Sequence, residues 1–194
     1  MKNKIKFIDY HGRRAGVFSA IAKKLSGRED VFSSGGLPSA DGGAYKQESD
    51  LIVGRKYAEP FRGTEVDGLV KIIENTRVGP VNVKDIENTD LVLPLHPHIL
   101  ECMGKARLPV DNAISLMKYL DVKNDWFDAP DYTIQRALAD QKIIPVQEHY
   151  NYVSVLTGET ALEGSPEAFR LYSQDTIETT KRLIEKLREG GELK

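Results

Sequence analysis

Cysteine is nearly absent from this chain. Cys102 stands alone, which excludes an internal disulfide and a cysteine-built zinc site and implies a reducing, cytoplasmic setting. Long apolar runs are absent too. The longest span a few residues, far short of the roughly 20 that a membrane helix needs, and MKNKIKFID at the start has no apolar stretch of signal length. Basic residues are not in excess: 27 Lys and Arg face 29 Asp and Glu, for a net charge of −2. No basic stripe interleaves with aromatics, so neither nucleic acid nor a membrane surface is an expected partner. Several catalytic signatures are missing as well. There is no Walker phosphate loop, no Gly-x-Gly-x-x-Gly after the first strand, no Gly-x-Ser-x-Gly and no His-Glu-x-x-His.

What remains is ordinary for a globular domain, with 40% hydrophobic and 29% charged residues. The 194 residues suit one α/β domain over 1–194, burying about 70% of the surface of the unfolded chain. Ile5 to Asp9 reads as a strand buried on both faces. Val17, Ile21 and Leu25 then mark a helix from Ala15 to Leu25, closed by Gly27. Asp30 to Ser34 reads as a second strand ended by Gly35-Gly36. Residues 36–64, rich in Gly, Ser and polar side chains, read as a loop-rich insertion on the surface, with LIV at 51–53 as its one strand signal.

Val66, Leu69, Val70 and Ile73 predict a helix over Thr64 to Arg77, with Thr64 able to cap it. Asp90 to Leu95 is a buried strand that delivers His96-Pro97-His98, and Ile99 to Ala106 is a short helix. Residues 111–120 predict another helix. Trp126 to Asp131 reads as a loop, Ile134 to Leu138 as helix, and Lys142 to Val146 as a strand running into Glu148-His149. YVSVL at 152–156 is a further apolar run. The last helix is capped by Ser165, started by Pro166, striped by Phe169, Tyr172, Ile177, Ile184 and Leu187, and ended by Gly190-Gly191. The alternation predicts a three-layer α/β fold, a mostly parallel open sheet with helices on both faces, of flavodoxin-like type.

The four histidines, His11, His96, His98 and His149, all fall just past the C-terminal ends of predicted strands. In an open parallel sheet those ends share one edge, where the ligand crevice forms. Asp9, Arg13, Arg14 and Glu148 fall on the same edge. Two chemistries suit them. One is anion binding: residues 10–14 precede a helix N-terminus, Gly12 lets the backbone approach, and Arg13 or Arg14 can clamp a phosphate or carboxylate. Asp9 and His11 are then the candidate acid–base groups. The other is a divalent metal held by His96 and His98, with His11, His149, Asp9 or Glu148 completing the set. Plainer readings stand beside these. Asp9 can cap the amides of Gly12 or Arg13, the His-Pro-His turn can be only a turn, Cys102 a small core residue, and Trp126-Phe127 core.

The order of elements resembles the low-molecular-weight tyrosine phosphatase and arsenate reductase family. In that family the first strand ends in a phosphate loop of Cys, five residues, Arg and Ser before the first helix. KIKFID-YHGR-RAGVFSAIAKKL has the same strand, loop, Arg and helix plan, with Arg14 where the family Arg falls. DVFSSGG at 30–36 resembles the second strand, DIENTDLVLPLHPHILECM at 85–103 the acidic residue, strand and short helix, and SPEAFRLYSQDTIETTKRLIEKL at 165–187 the final helix. Asp128, before Ala-Pro-Asp, resembles the residue of the general-acid loop. Asp9 stands where the nucleophilic Cys belongs, and the loop is one residue shorter. The resemblance therefore implies the architecture and a phosphate-type ligand but no thiolate chemistry. It leaves three readings: an anion-binding protein, with Asp9, His11 and Asp128 as candidate catalytic groups; a metal-dependent enzyme; or a non-catalytic, phosphatase-like binding protein.

Overall fold

The computed structural model describes residues 3–38, 51–122, 151–153, 160–162 and 166–193. Its centre is β1, Ile5–Asp9, which lies between two parallel neighbours, β2 (Phe32–Gly36) and β5 (Leu91–Pro94). The order β2-β1-β5 places β1 at the switch point of an open α/β sheet. One more rung flanks each outer strand, Pro80 beside Gly36 and Ala113 beside Val92.

The pleat of β1 sorts the layers. Ile5 and Phe7 face a cluster built from Ala15, Phe18 and Ala22 of α1 (Arg13–Ser26) and Leu183, Ile184 and Leu187 of the long C-terminal helix Pro166–Glu189. Ile8 points the other way, onto Ile86 of α4 (Val83–Glu87) and Ile99 and Met103 of α5 (Pro97–Lys105). Helices therefore cover both faces of the sheet. Parallel strands buried on two sides need near-continuous apolar sequence, as IKFI and LVL provide.

Between β2 and α4 the chain forms β3 (Leu51–Ile52), α2 (Arg55–Ala58), a 3-10 turn at Glu59–Phe61, a second at Asp67–Leu69, α3 (Val70–Asn75) and β4 (Arg77–Val78). The strands β3 and β4 pair antiparallel. The stripe Val66, Leu69, Val70 and Ile73 is buried as its spacing requires, but the helix is shorter than Thr64 to Arg77, because Arg77 and Val78 are taken into the small sheet. Thr64 caps a turn instead of the helix: its Oγ1 accepts from the Val66 N–H and donates to the Phe61 carbonyl.

The described part of the stretch 36–64 is not a surface excursion. Val53, Ala58 and Phe61 are buried in a second cluster with Val17 and Ile21 of α1. Its small apolar residues are scattered one per turn among charges, which hides them from a periodicity test.

Three further expectations change. Gly35 and Gly36 lie inside β2 instead of ending it. A side chain on Gly35 would stand 2.3 Å from Val81 Cγ1, so that glycine marks a close crossing. Residues 111–120 are not one helix: Ala113 bridges the sheet edge, and only Leu116–Tyr119 (α6) is helical. In the final helix, here α7, Phe169 is exposed, and the buried face runs through Ala168, Leu171, Thr176, Thr180 and Leu183. Thr176 and Thr180 are satisfied within the helix, each donating to a carbonyl one turn back. A helix the sequence left unassigned, α4, starts with a capping box between Asn82 and Asp85.

Asn151–Val153 (β6) pairs antiparallel with Thr160–Leu162 (β7), so Tyr152 and Val153 of the 152–156 run lie on a paired strand. The Trp126 to Asp131 loop, the Ile134 helix, the Lys142 to Val146 strand and Asp128, Glu148 and His149 lie outside the described residues. None of the described helices is long and apolar enough to cross a membrane.

Candidate functional site

The turn from β1 into α1 is shaped by Asp9 and Gly12. Asp9 ends the strand opposite Gly36 and is buried. Its Oδ1 accepts from the Tyr10 N–H at 2.8 Å and its Oδ2 from the Arg14 N–H at 3.2 Å. Helix α1 has no acidic residue in its first turn and no side-chain cap from its own N-cap residue, Gly12. The buried carboxylate of Asp9 supplies what is missing, binding an N-terminal amide and opposing the helix dipole. The plain capping role expected of Asp9 is thus present, on the amides of Tyr10 and Arg14.

Gly12 adopts φ 72°, and an added side-chain carbon would lie 2.8 Å from the Gly36 nitrogen. The turn is pressed directly onto the end of β2, a position only glycine fills without strain.

Arg13 and Arg14 are the first two residues of α1. Cations there oppose the dipole, a cost of about 0.3–1 kcal/mol each when exposed. Both are held by aromatic rings. The Arg13 guanidinium lies 5.9 Å from the centre of the Tyr57 ring on α2, and that of Arg14 lies 5.7 Å from the Tyr172 ring on α7. Burial pushes the Tyr172 phenol well above its ordinary range; Arg14 acts to lower it, while Tyr57 and Asp9 raise it further. Tyr172, Arg14, Tyr57 and Asp9 therefore share one electrostatic neighbourhood. The Arg13 Nε is buried and makes no hydrogen bond among the described residues.

Next to this turn stands the one from β5 into α5. Leu95 donates to the Ile8 carbonyl, tying the two strand ends together. The His-Pro-His segment is a helix start: His96 is the N-cap, its Nδ1 accepting from the His98 N–H, and Pro97 takes the first turn. His98 places its Nδ1 3.2 Å from Glu101 Oε2 and its ring 6.2 Å from that of Tyr10. So Asp9, Arg13 and Arg14 gather at one edge of the sheet, with His11 in the same turn and His98 alongside through Tyr10. Among the described residues no group of three or more His, Cys, Asp or Glu is arranged to hold a metal ion. Cys102 lies on α5, half-buried against the cluster of Ile8, Ile99 and Met103.

Neither Tyr57 nor Tyr172 is marked by the sequence as a neighbour of the arginines; Tyr172 reads there only as part of the apolar stripe of the last helix. Both contacts join residues distant in the chain, and no local pattern marks a ring that will meet an arginine from another element. A cavity of about 210 Å³ opens elsewhere, at the start of β1 and β2, lined by Lys4, Lys6, Ser33, Asp85 and Thr89. Burial lowers the Lys6 amine there, with Asp85 acting to raise it. That cavity is at the opposite end of the strands from the turns that carry the arginines.

The architecture is that of the low-molecular-weight protein tyrosine phosphatases. A member from T. tengcongensis superposes with a TM-score of 0.58 at 14% identity, over 95% of this chain and 99% of that one. One from Bacillus subtilis gives 0.55 at 15% identity, over 96% and 97%. The arginine phosphatase YwlE from Geobacillus stearothermophilus gives 0.52 at 14%, over 97% and 94%. No protein-family model matches the sequence, and a search of curated proteins gives no match. At these identities the likeness establishes the fold.

Proposed function

We propose that this protein binds an anionic group, a phosphate ester or carboxylate of a small molecule, at the β1–α1 turn through Arg13 and Arg14, without a thiol nucleophile. The observation that carries the reading is the state of Arg13. A cation stands at the first position of a helix, against the dipole, with a buried Nε that makes no hydrogen bond among the described residues. A buried donor left so costs about 1–3 kcal/mol. An oxyanion between the two guanidiniums would satisfy that donor and turn the unfavourable placement into a charge-assisted contact.

The phosphatase neighbours support a phosphate-type ligand by analogy of fold alone. Asp9 stands at the end of β1, where the resemblance expects the nucleophilic thiol, and both of its oxygens accept backbone N–H groups. The reading is therefore one of binding, with His11 and His98 as the imidazoles nearest a bound group. Titration of phenyl phosphate by calorimetry tests it. Wild type is expected to bind, with Arg13→Ala and Arg14→Ala each weakening affinity by about tenfold or more, equivalent to about 1.4 kcal/mol or more. Arg14→Lys checks that any loss does not come from unfolding around Tyr172. Unchanged affinity in both alanine variants would overturn the proposal.

A further inference from the structure

The other end of β1 carries a polar feature of its own. Alternation along the strand puts Lys6 on the same side as Ile8, the side that faces α4, at the centre of the sheet. Its neighbours in register are Ser33 on β2 and Val92 on β5. A central position in a parallel sheet covered on both faces ordinarily holds an apolar side chain. Lys6 instead lines the cavity of about 210 Å³ at the start of β1 and β2. It is half-buried, and among the described residues its amine makes no hydrogen bond and no ion pair. The carboxylate that acts on it is already engaged: Asp85 lines the same cavity, but its Oδ2 accepts from the Asn82 N–H at 3.0 Å in the capping box of α4. Burial outweighs Asp85, so the Lys6 amine is held below its ordinary range. The other charged groups around the cavity are Lys4, ahead of β1, and Asp30, ahead of β2.

From this cavity and its unpaired amine we infer that Lys6 is a modification site, a nucleophile for small acyl phosphates. An amine taken partly out of water sheds its proton more readily, and the neutral form is the one that attacks. Its lone pair adds to the acyl carbon, and the new N–C bond replaces the C–O bond to phosphate. Phosphate leaves with the bonding electrons, and the extra proton on nitrogen passes to water. Lys4 lines the same cavity and is exposed, so its ammonium draws the phosphate end of the reagent to the opening. The product amide is neutral, which removes a charge from a half-buried position. This chemistry is independent of the arginines at the opposite end of the strands.

Limiting acetyl phosphate, added to the wild-type protein at neutral pH and followed by peptide mapping with mass spectrometry, tests the assignment. Lys6 is expected to be acetylated about tenfold or more faster than Lys24 and Lys71, which are exposed. That ratio is expected to shrink as the pH rises toward about 10, where ordinary lysines also lose their protons. In urea the preference is expected to vanish, because burial and not local sequence sets it. Asp85→Asn keeps an oxygen for the Asn82 amide while removing the charge that favours the ammonium. It is expected to speed acetylation of Lys6 about threefold or more at neutral pH and to leave Lys71 unchanged, a result that access alone does not produce. A Lys6 rate no higher than that of the exposed lysines, or a preference that survives in urea, would overturn the assignment. So would a Lys6 rate that Asp85→Asn leaves unchanged or lowers.

Discussion

Gly12→Ala is expected to remove about 3–5 kcal/mol of stability, enough to leave little of the 5–15 kcal/mol that a domain of this kind has. Two effects add. At φ 72° a side chain costs about 1–2 kcal/mol in the left-handed region. The added carbon would also lie 2.8 Å from the Gly36 nitrogen and 2.9 Å from the Gly35 carbonyl carbon. Those are backbone atoms of β2, paired to β1 through Asp9 and Gly36, and they cannot move without opening the sheet. Gly27 is the matched control. It has φ 71° at the end of α1 but nothing within 4 Å of an added carbon, so Gly27→Ala should cost only the conformational part, about 1 kcal/mol. Urea denaturation of the two variants checks this. Equal losses would mean that the turn does not press on β2.

Phe7→Ala is expected to cost about 3–5 kcal/mol. Phe7 is fully buried in the middle of β1, stacked on Phe32 at 6.0 Å and tilted against Phe18 at 5.8 Å. Removing it leaves a cavity between the sheet, α1 and α7, and both flanking rings lose their partner. Phe169→Ala, on the exposed side of α7, should change stability by no more than about 0.5 kcal/mol. Thermal unfolding of the two variants separates the observed burial of α7 from the stripe that sequence periodicity suggested. Comparable destabilisation would restore Phe169 to the core.

The elements that were legible are those where one physical rule acts alone. β1 and β5 are buried on both faces and read as short, mostly apolar runs with little alternation. The interior of α1 follows a clean helical spacing and stops at Gly27. The edge that carries Asp9, Arg13, Arg14 and His98 was legible because strand ends, not side-chain contacts, decide it. Misreadings arose where two rules compete. By sequence Gly35 marks a strand end, although its missing side chain lets Val81 cross. Residues 111–115 have helical spacing, but the open edge of β5 takes Ala113 as a bridge. On α7 the expected stripe holds at Ile177, Ile184 and Leu187, which are buried, and fails at Phe169, where Ala168 takes the inward position. The tyrosines under Arg13 and Arg14 were beyond reach for a different reason: tertiary structure alone brings α2 and α7 to the start of α1.

The central claim is that the β1–α1 turn receives an anion between Arg13 and Arg14. The most direct measurement is amide and guanidinium chemical-shift mapping of the wild-type protein during titration with phenyl phosphate. The account predicts saturable shifts at residues 10–14, with the side chains of Arg13 and Arg14 and the rings of Tyr57 and Tyr172 moving on the same binding curve. Shifts confined to other parts of the molecule, such as the Lys4 and Lys6 cavity, or no saturable shift at the turn, would contradict it.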